Sequence, residues 1–127
     1  MITVDTKIVY ALQSIAPVWN SVKESEPVGD EEREQQKTDI YFVFNYSTLG
    51  AGYADNDPTG ELYLIQVHLF APLATNLTRI KWRTKAALHL AGFAWPETID
   101  ASDATGRHIV FEFQHVEGLD LNGDLLV

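Results

Sequence analysis

Apolar residues recur at helical spacing in two parts of the chain. The first part predicts a helix that begins at Thr3 or Asp5 and that Pro17 ends, because the residue before a proline avoids the helical conformation. The second part predicts the clearest helix, from Asn76 as the N-cap to Ala91. The apolar stripes are Val4, Ile8, Ala11, Leu12 and Ile15 in the first helix, and Leu77, Ile80, Thr84, Ala87, Leu88 and Ala91 in the second.

Segments rich in β-branched and aromatic residues predict the strands. A short strand is expected within 18–22, a central one over 40–46, a third over 61–70 and a last one over 107–116. Each helix needs an apolar surface to cover. We therefore expect an α+β fold in the order α-β-β-β-α-β, with a mostly antiparallel sheet of about four strands and both helices packed on one face.

Polar residues predict two long loops within one domain that spans 1–127. The first is acidic and lies at about 23–38, and the second lies at about 47–60. Residues 100–106 predict a further polar loop before the last strand. A chain of 127 residues is of ordinary size for one hydrophobic core.

The charge and the cysteine count narrow the classes of function. Nine Lys and Arg residues against 18 Asp and Glu residues give a net charge of −9, which disfavours phosphate backbones and favours a basic protein partner. The absence of cysteine excludes disulfides, thiolate zinc sites and a cysteine nucleophile. No apolar run approaches the ~20 residues that span a bilayer, and the first residues lack the pattern of a signal peptide, so we expect a soluble intracellular protein without membrane contact.

The segment Asp55–Gly60 resembles the start of a calcium loop, with oxygen ligands at alternate positions and a glycine at the turn. The position that would need a bidentate glutamate is Gln66. An Asx-rich turn between strands is the simpler interpretation, and a small ligand- or metal-binding module remains an alternative.

The remaining polar residues do not form a recognisable catalytic pattern. The four histidines contain no close ligand pair and are expected to be surface or half-buried residues; they are His68, His89, His108 and His115. Carboxylate pairs such as Glu31/Glu32 fall in solvated loops rather than in a pocket. We therefore expect a non-enzymatic protein with no catalytic residue, metal or cofactor.

The second helix carries the pattern of a protein interface. Trp82 falls nearly opposite the core stripe, on the same outer side as Ala86 and His89. Four of the nine basic residues lie on this helix, and they are Arg79, Lys81, Arg83 and Lys85. A tryptophan among basic side chains suits an interface, although Trp82 could instead fold down at a sheet edge and cover core.

The acidic loop could be the electrostatic counterpart of this helix. Its glutamates include Glu31, Glu32 and Glu34. The basic helix of one copy could meet the acidic loop of the next, and such heterologous contacts generate rings. The alternative is an acidic run that is merely solvated.

The order and spacing of six stretches over almost the whole chain resemble the tail-terminator, or tail-to-head joining, proteins of long-tailed bacteriophages. The stretches are residues 17–19, 41–44, 53–56, 66–70, 91–93 and 107–113. The resemblance implies a structural virion subunit of the tail and neck that is present in the host cytoplasm during assembly. It implies a hexameric ring that caps the tail tube and then docks to the head connector, with no catalytic residue, no membrane contact and no sequence-specific nucleic-acid binding.

The predicted partners are therefore further copies of the chain, the tail-tube protein and a head-connector protein. A head-completion adaptor bound to the portal is an alternative that differs only in its partner. The candidate interface residues are Trp82, Arg79, Arg83, His89, Glu31, Glu32, Glu34, Tyr53 and Asp55.

Overall fold

The helices and strands are described in the computed structural model for residues 3–20, 39–54 and 57–118. The elements are helices α1 (Val4–Leu12) and α2 (Thr78–Leu90) and strands β1 (Val18–Asn20), β2 (Tyr41–Ala54), β3 (Asp57–Ala71), β4 (Glu97–Asp100) and β5 (Arg107–Gly118). Neither helix has the length and apolar sequence needed to cross a bilayer.

The strands form one sheet in the order β1-β2-β3-β5-β4. β1 is parallel to β2, and the other three pairings are antiparallel. The predicted α+β class, with two helices and a mostly antiparallel sheet, is confirmed. The sheet also contains β4, which lies at its edge and which the sequence pattern did not predict.

Both helices pack on one face of the sheet. Alternate residues of the strands point to this face and join the apolar stripes of the helices in a single core. The sheet contributes Phe42, Phe44, Ile65, Val67, Leu69, Ile109, Phe111 and Phe113, and the helices and their ends contribute Val4, Ile8, Leu12, Leu77, Leu88 and Phe93. In β3 and β5 the core residues therefore alternate with residues that point to the other face.

The predicted loop at about 47–60 is wrong. β2 continues to Ala54 and β3 begins at Asp57, so only two residues separate the paired strands. Gly60 explains part of the error, because it permits a close approach and does not mark a turn. A Cβ atom at Gly60 would lie 2.4 Å from the backbone oxygen of Glu117. The predicted acidic loop at about 23–38 lies outside the described residues.

The helix ends follow local hydrogen bonding. Thr3 is the N-cap of α1, and its Oγ1 accepts from the Thr6 N–H at 3.2 Å. α1 ends at Leu12, before Pro17, and a turn follows. α2 begins at Thr78, later than predicted, and Asn76 Oδ1 accepts from the Thr78 N–H at 3.0 Å.

The C-terminus of α2 forms a Schellman motif. Gly92 has a φ of 103° and donates its N–H to the His89 carbonyl, while the N–H of Phe93 bonds to the Leu88 carbonyl. Gly92 thus occupies the position at which a helix C-terminus favours glycine. The reversal drives Phe93 into the core and returns the following residues over the last turn of the helix.

Candidate interaction surface

The outer face of α2 is exposed and aromatic. Trp82 is 64% exposed, which excludes the alternative that it covers core at a sheet edge. Its ring meets that of Trp95 edge to face, with centroids 5.2 Å apart, and the His89 ring lies 5.7 Å from Trp95. Arg79 and Arg83 are also exposed on this helix. We call these residues the aromatic–basic patch.

Trp95 belongs to this patch although the sequence pattern did not select it. It is 43% exposed and lies beside Trp82 because the Schellman turn at Gly92 reverses the chain. His89 helps to hold the turn, since its Nδ1 lies 3.2 Å from the Phe93 carbonyl oxygen. The apolar segment 93–96 directly after a helix-ending glycine was the available indication.

The charge of α2 is opposite to that of the rest of the chain. The helix contains four Lys and Arg residues and no acidic residue. Because the whole chain carries −9, removing the four positive charges of α2 leaves −13. A strongly acidic protein thus has one cationic, aromatic surface on α2.

The other face of the sheet, away from the helices, contains a second exposed surface. The register places its side chains in cross-strand rows toward the end of the sheet that contains Leu49 and Val116. The rows are Asn45, Gln66, Glu112 and Glu97, then Ser47, Leu64 and Gln114, then Leu49, Leu62 and Val116. We call these residues, together with Ile99 of β4, the open sheet surface.

The open sheet surface combines exposed apolar side chains with a concave polar part. Leu49, Ile99 and Val116 are 51%, 49% and 59% exposed. An open cavity of about 880 Å³ lies over the two polar rows. The outward side chains among its lining residues are Asn45, Ser47, Leu64, Gln66, Glu97, Glu112 and Gln114.

Two carboxylates stand directly opposite each other on this surface. Glu97 of β4 pairs in register with Glu112 of β5, and like charges at opposed strand positions are destabilising. Glu112 Oε1 accepts a hydrogen bond from Gln66 Nε2 at 2.9 Å. None of the described outward positions on this surface holds a lysine or arginine.

The remaining part of the same sheet face is buried and contains a histidine pair. His68 and His108 lie on adjacent strands, and His68 Nδ1 is 2.8 Å from His108 Nε2. Both rings neighbour Phe70, whose ring also stacks on Tyr41. The expectation of surface or half-buried histidines is wrong for these two residues, which are 2% and 7% exposed.

The environment of His68 disfavours its charged form. Burial, followed by the neighbouring His108, lowers the pKa of His68 to about 3. Its Nε2 has no hydrogen-bond partner among the described residues. The pair could not be found from sequence, because the two histidines meet only through the register of β3 and β5.

A polar network fixes α1 against the strands on the helix-covered face. The Tyr46 hydroxyl donates to Asp5 Oδ1, and this bond, together with burial, raises the pKa of Tyr46 to about 12. Lys7 Nζ and His115 Nε2 lie 2.9 and 2.8 Å from Glu117 Oε1. Burial alone would raise the pKa of Glu117, but the bonds to Lys7 and His115 outweigh it and lower that pKa.

The structure places only part of the predicted site. Trp82, Arg79, Arg83 and His89 are exposed together on α2. Tyr53 lies on β2, and its side chain is outside the described part, as are Asp55, Glu31, Glu32 and Glu34. The acidic counterpart proposed for α2 therefore lies outside the described residues.

The structure does not support the alternative of a calcium-type ligand loop that includes residues 57–60. Asp57–Gly60 belongs to β3 and pairs with β2, so these four residues lie in a strand and not in a loop. Within residues 3–20, 39–54 and 57–118, no group of three or more His, Asp and Glu side chains is placed to hold a metal ion.

No protein-family model matches the chain, and no curated protein matches it.

Proposed function

We propose that this chain is a structural subunit of the neck of a long-tailed bacteriophage that caps the tail tube and joins it to the head connector as a hexameric ring. The resemblance of six ordered stretches supports the phage assignment. The aromatic–basic patch supports the assembly role, and it is the observation on which the proposal depends.

Two exposed tryptophans are the main physical argument. Tryptophan side chains dominate the energetics of interfaces because each offers a large apolar area and a polar N–H. Trp82 and Trp95 contact each other and leave 64% and 43% of their surfaces uncovered. Flanking arginines are the second residue type enriched where binding energy is concentrated. A protein partner that covers this patch would bury aromatic area and pair its charges.

The test is the mass of the protein in solution, measured by light scattering over a range of concentrations. The measurement is made alone, with the tail-tube protein of the same phage, and with its portal ring. We expect a discrete ring, either alone or only on the tube. A monomer that binds the portal and ignores the tube would instead support the adaptor alternative, and a monomer that ignores both would overturn the proposal.

A further inference from the structure

The two exposed surfaces lie on opposite sides of the sheet. α2 packs on the helix-covered face and turns the aromatic–basic patch outward. The open sheet surface faces the other way, as the alternation of the strands requires. One subunit therefore carries two different exposed surfaces, with Trp82 on one side of the sheet and the open sheet surface on the other.

We propose that these surfaces bind each other between copies: the aromatic–basic patch of one copy docks on the open sheet surface of the next. This contact rests on the proposed ring function and names the two surfaces that build it. Each surface carries what the other lacks. The patch presents cations and aromatic rings, and the open sheet surface presents carboxylates, exposed aliphatic side chains and a cavity.

Charge complementarity is the first argument. α2 holds four basic residues and no acidic one, whereas the outward positions of the open sheet surface hold Glu97 and Glu112 and no described basic residue. The opposed glutamates repel each other within one copy. A cation from the next copy would relieve that repulsion, so the contact gains more than an isolated surface ion pair does.

Shape and apolarity are the second argument. Leu64 is among the residues that line the cavity of about 880 Å³, and the strand register places the row of Leu49, Leu62 and Val116 next to the row of Leu64. Aromatic side chains at the centre of an interface fill such pockets, and the surrounding residues exclude water. Trp82, on the helix side of the sheet, is an exposed side chain of that kind, and Trp95 lies against it.

The placement also determines the symmetry of the contact. Two surfaces on opposite sides of one rigid subunit cannot both engage within a two-fold dimer. A contact between them is head-to-tail, and head-to-tail contacts produce closed rings or open filaments. A subunit that uses these surfaces thus assembles in the manner that a ring requires.

The absence of cysteine makes a direct test possible. We would prepare Ala86→Cys, which places a thiol on α2 beside Trp82, and Ser47→Cys, which places one on the open sheet surface. The two variants are oxidised separately and as a mixture, and the disulfide-linked dimers are measured on a non-reducing gel. We expect cross-linked heterodimers in the mixture at least about tenfold faster than homodimers of either variant.

Glu97→Lys in the Ser47→Cys chain is the matched control for charge. It should lower the rate of heterodimer cross-linking severalfold, because it neutralises the pair that meets the basic helix. It should also raise the melting temperature of the unassembled chain, since it replaces a repulsive cross-strand pair with an attractive one. If Glu97 had only a structural role, Glu97→Lys would not both slow heterodimer cross-linking and raise the melting temperature.

The outcomes separate this contact from the proposed function. Homodimers of Ala86→Cys that form faster than heterodimers would show a two-fold helix contact and overturn the inference. Equal, slow cross-linking of all pairs would also overturn it, and a ring seen by light scattering would then leave the neck function standing. Rapid heterodimer cross-linking in a protein that does not bind the tail-tube protein would support the contact and contradict the neck assignment.

Discussion

Trp82 is positioned by its neighbours on the surface and not by the core. Its ring rests edge to face on Trp95, which the Gly92 turn brings back over the helix. Edge-to-face aromatic pairs contribute about 0.5–1.5 kcal/mol beyond the area that they bury. The fold therefore gains little from Trp82, and an assembly would gain much more.

Replacing Trp82 with alanine should separate these two contributions. We expect Trp82→Ala to change the free energy of unfolding of the monomer by about 1 kcal/mol or less. Self-association should weaken by about 30-fold or more, which corresponds to about 2 kcal/mol. Urea denaturation measures the first quantity, and light scattering over a concentration series measures the second.

Tyr10→Ala is the matched control, because Tyr10 is an aromatic residue of similar exposure, 67%, on α1. It should leave association unchanged. If Trp82→Ala unfolded the monomer, or if both variants weakened association equally, the role given to the aromatic–basic patch would be wrong.

His68 makes the stability of the fold dependent on pH. Its folded pKa of about 3 lies below the ordinary value of 6.5. The unfolded chain therefore binds a proton more readily than the folded chain between these values. The stability that the neutral ring contributes is complete above about pH 6.5 and is lost as the pH falls toward 3.

The expected result is a free energy of unfolding that falls by up to about 1.4 kcal/mol per pH unit from this residue alone, near the middle of that range. His68→Phe should reduce the slope by about that amount, although it also removes the hydrogen bond to His108. His89→Gln, at an exposed histidine, should keep the slope of the natural chain. Urea denaturation at a series of pH values measures all three, and equal slopes for His68→Phe and the natural chain would contradict the argument.

At the scale of elements, the long β2–β3 hairpin depends on close backbone packing at Gly60. β5 lies against β3 there, and the Glu117 carbonyl occupies the space that a side chain would need. Because the obstructing atom belongs to the backbone, a larger residue cannot be accommodated by a change of rotamer.

Gly60→Val should destabilise the fold by about 2–3 kcal/mol. Ser47→Val is the matched control, since Ser47 is exposed in the neighbouring strand and a β-branched residue is well tolerated there. Thermal unfolding of the two variants gives the comparison. A melting temperature for Gly60→Val as high as that of Ser47→Val would show that the strands separate at this point without cost.

The predictable elements are those in which hydrophobic residues recur along the element's own sequence at regular spacing. The stripes of α1 and α2 and the alternation of β5 follow from one continuous core face. β4 was missed because its four residues, three of them exposed, show no hydrophobic periodicity. Only its pairing with β5 makes Glu97–Asp100 a strand. The glycines of 47–60 predicted a turn, whereas the structure uses Gly60 for close approach.

The candidate site was predictable to a similar extent. The position of Trp82 on the outer side of α2 follows from helical geometry. Trp95 and the open sheet surface depend on a reversal and on strand register, which are long-range properties. The Glu97–Glu112 pair exists only because β4 and β5 are neighbours.

At the scale of the whole molecule, two electrostatic effects act against each other in assembly. Copies that each carry −9 repel at long range, while the basic helix and the opposed glutamates would attract each other at the proposed contact. Long-range repulsion is screened first as salt is added, because the Debye length falls from about 30 Å at 0.01 M to about 10 Å at 0.1 M. Contact pairs are weakened at higher salt, where the Debye length is about 3 Å at 1 M.

Association should therefore be strongest at intermediate ionic strength, near about 0.1 M, and weaker on both sides. Sedimentation velocity at a series of salt concentrations measures this directly. Glu97→Lys, which changes the net charge from −9 to −7, should flatten both sides of the curve. A steady increase in association up to 1 M salt would show that apolar contacts alone hold the copies together.

The opposite placement of the two surfaces has a consequence for how assembly stops. An open arc of subunits joined in this way would end in one uncovered aromatic–basic patch and one uncovered open sheet surface. Each added copy would cover one of these surfaces and expose another of the same kind. Only closure removes both ends at once. A ring closed through the proposed contact would have no end left to recruit another copy sideways, so a different protein would have to attach to a surface that this contact does not use.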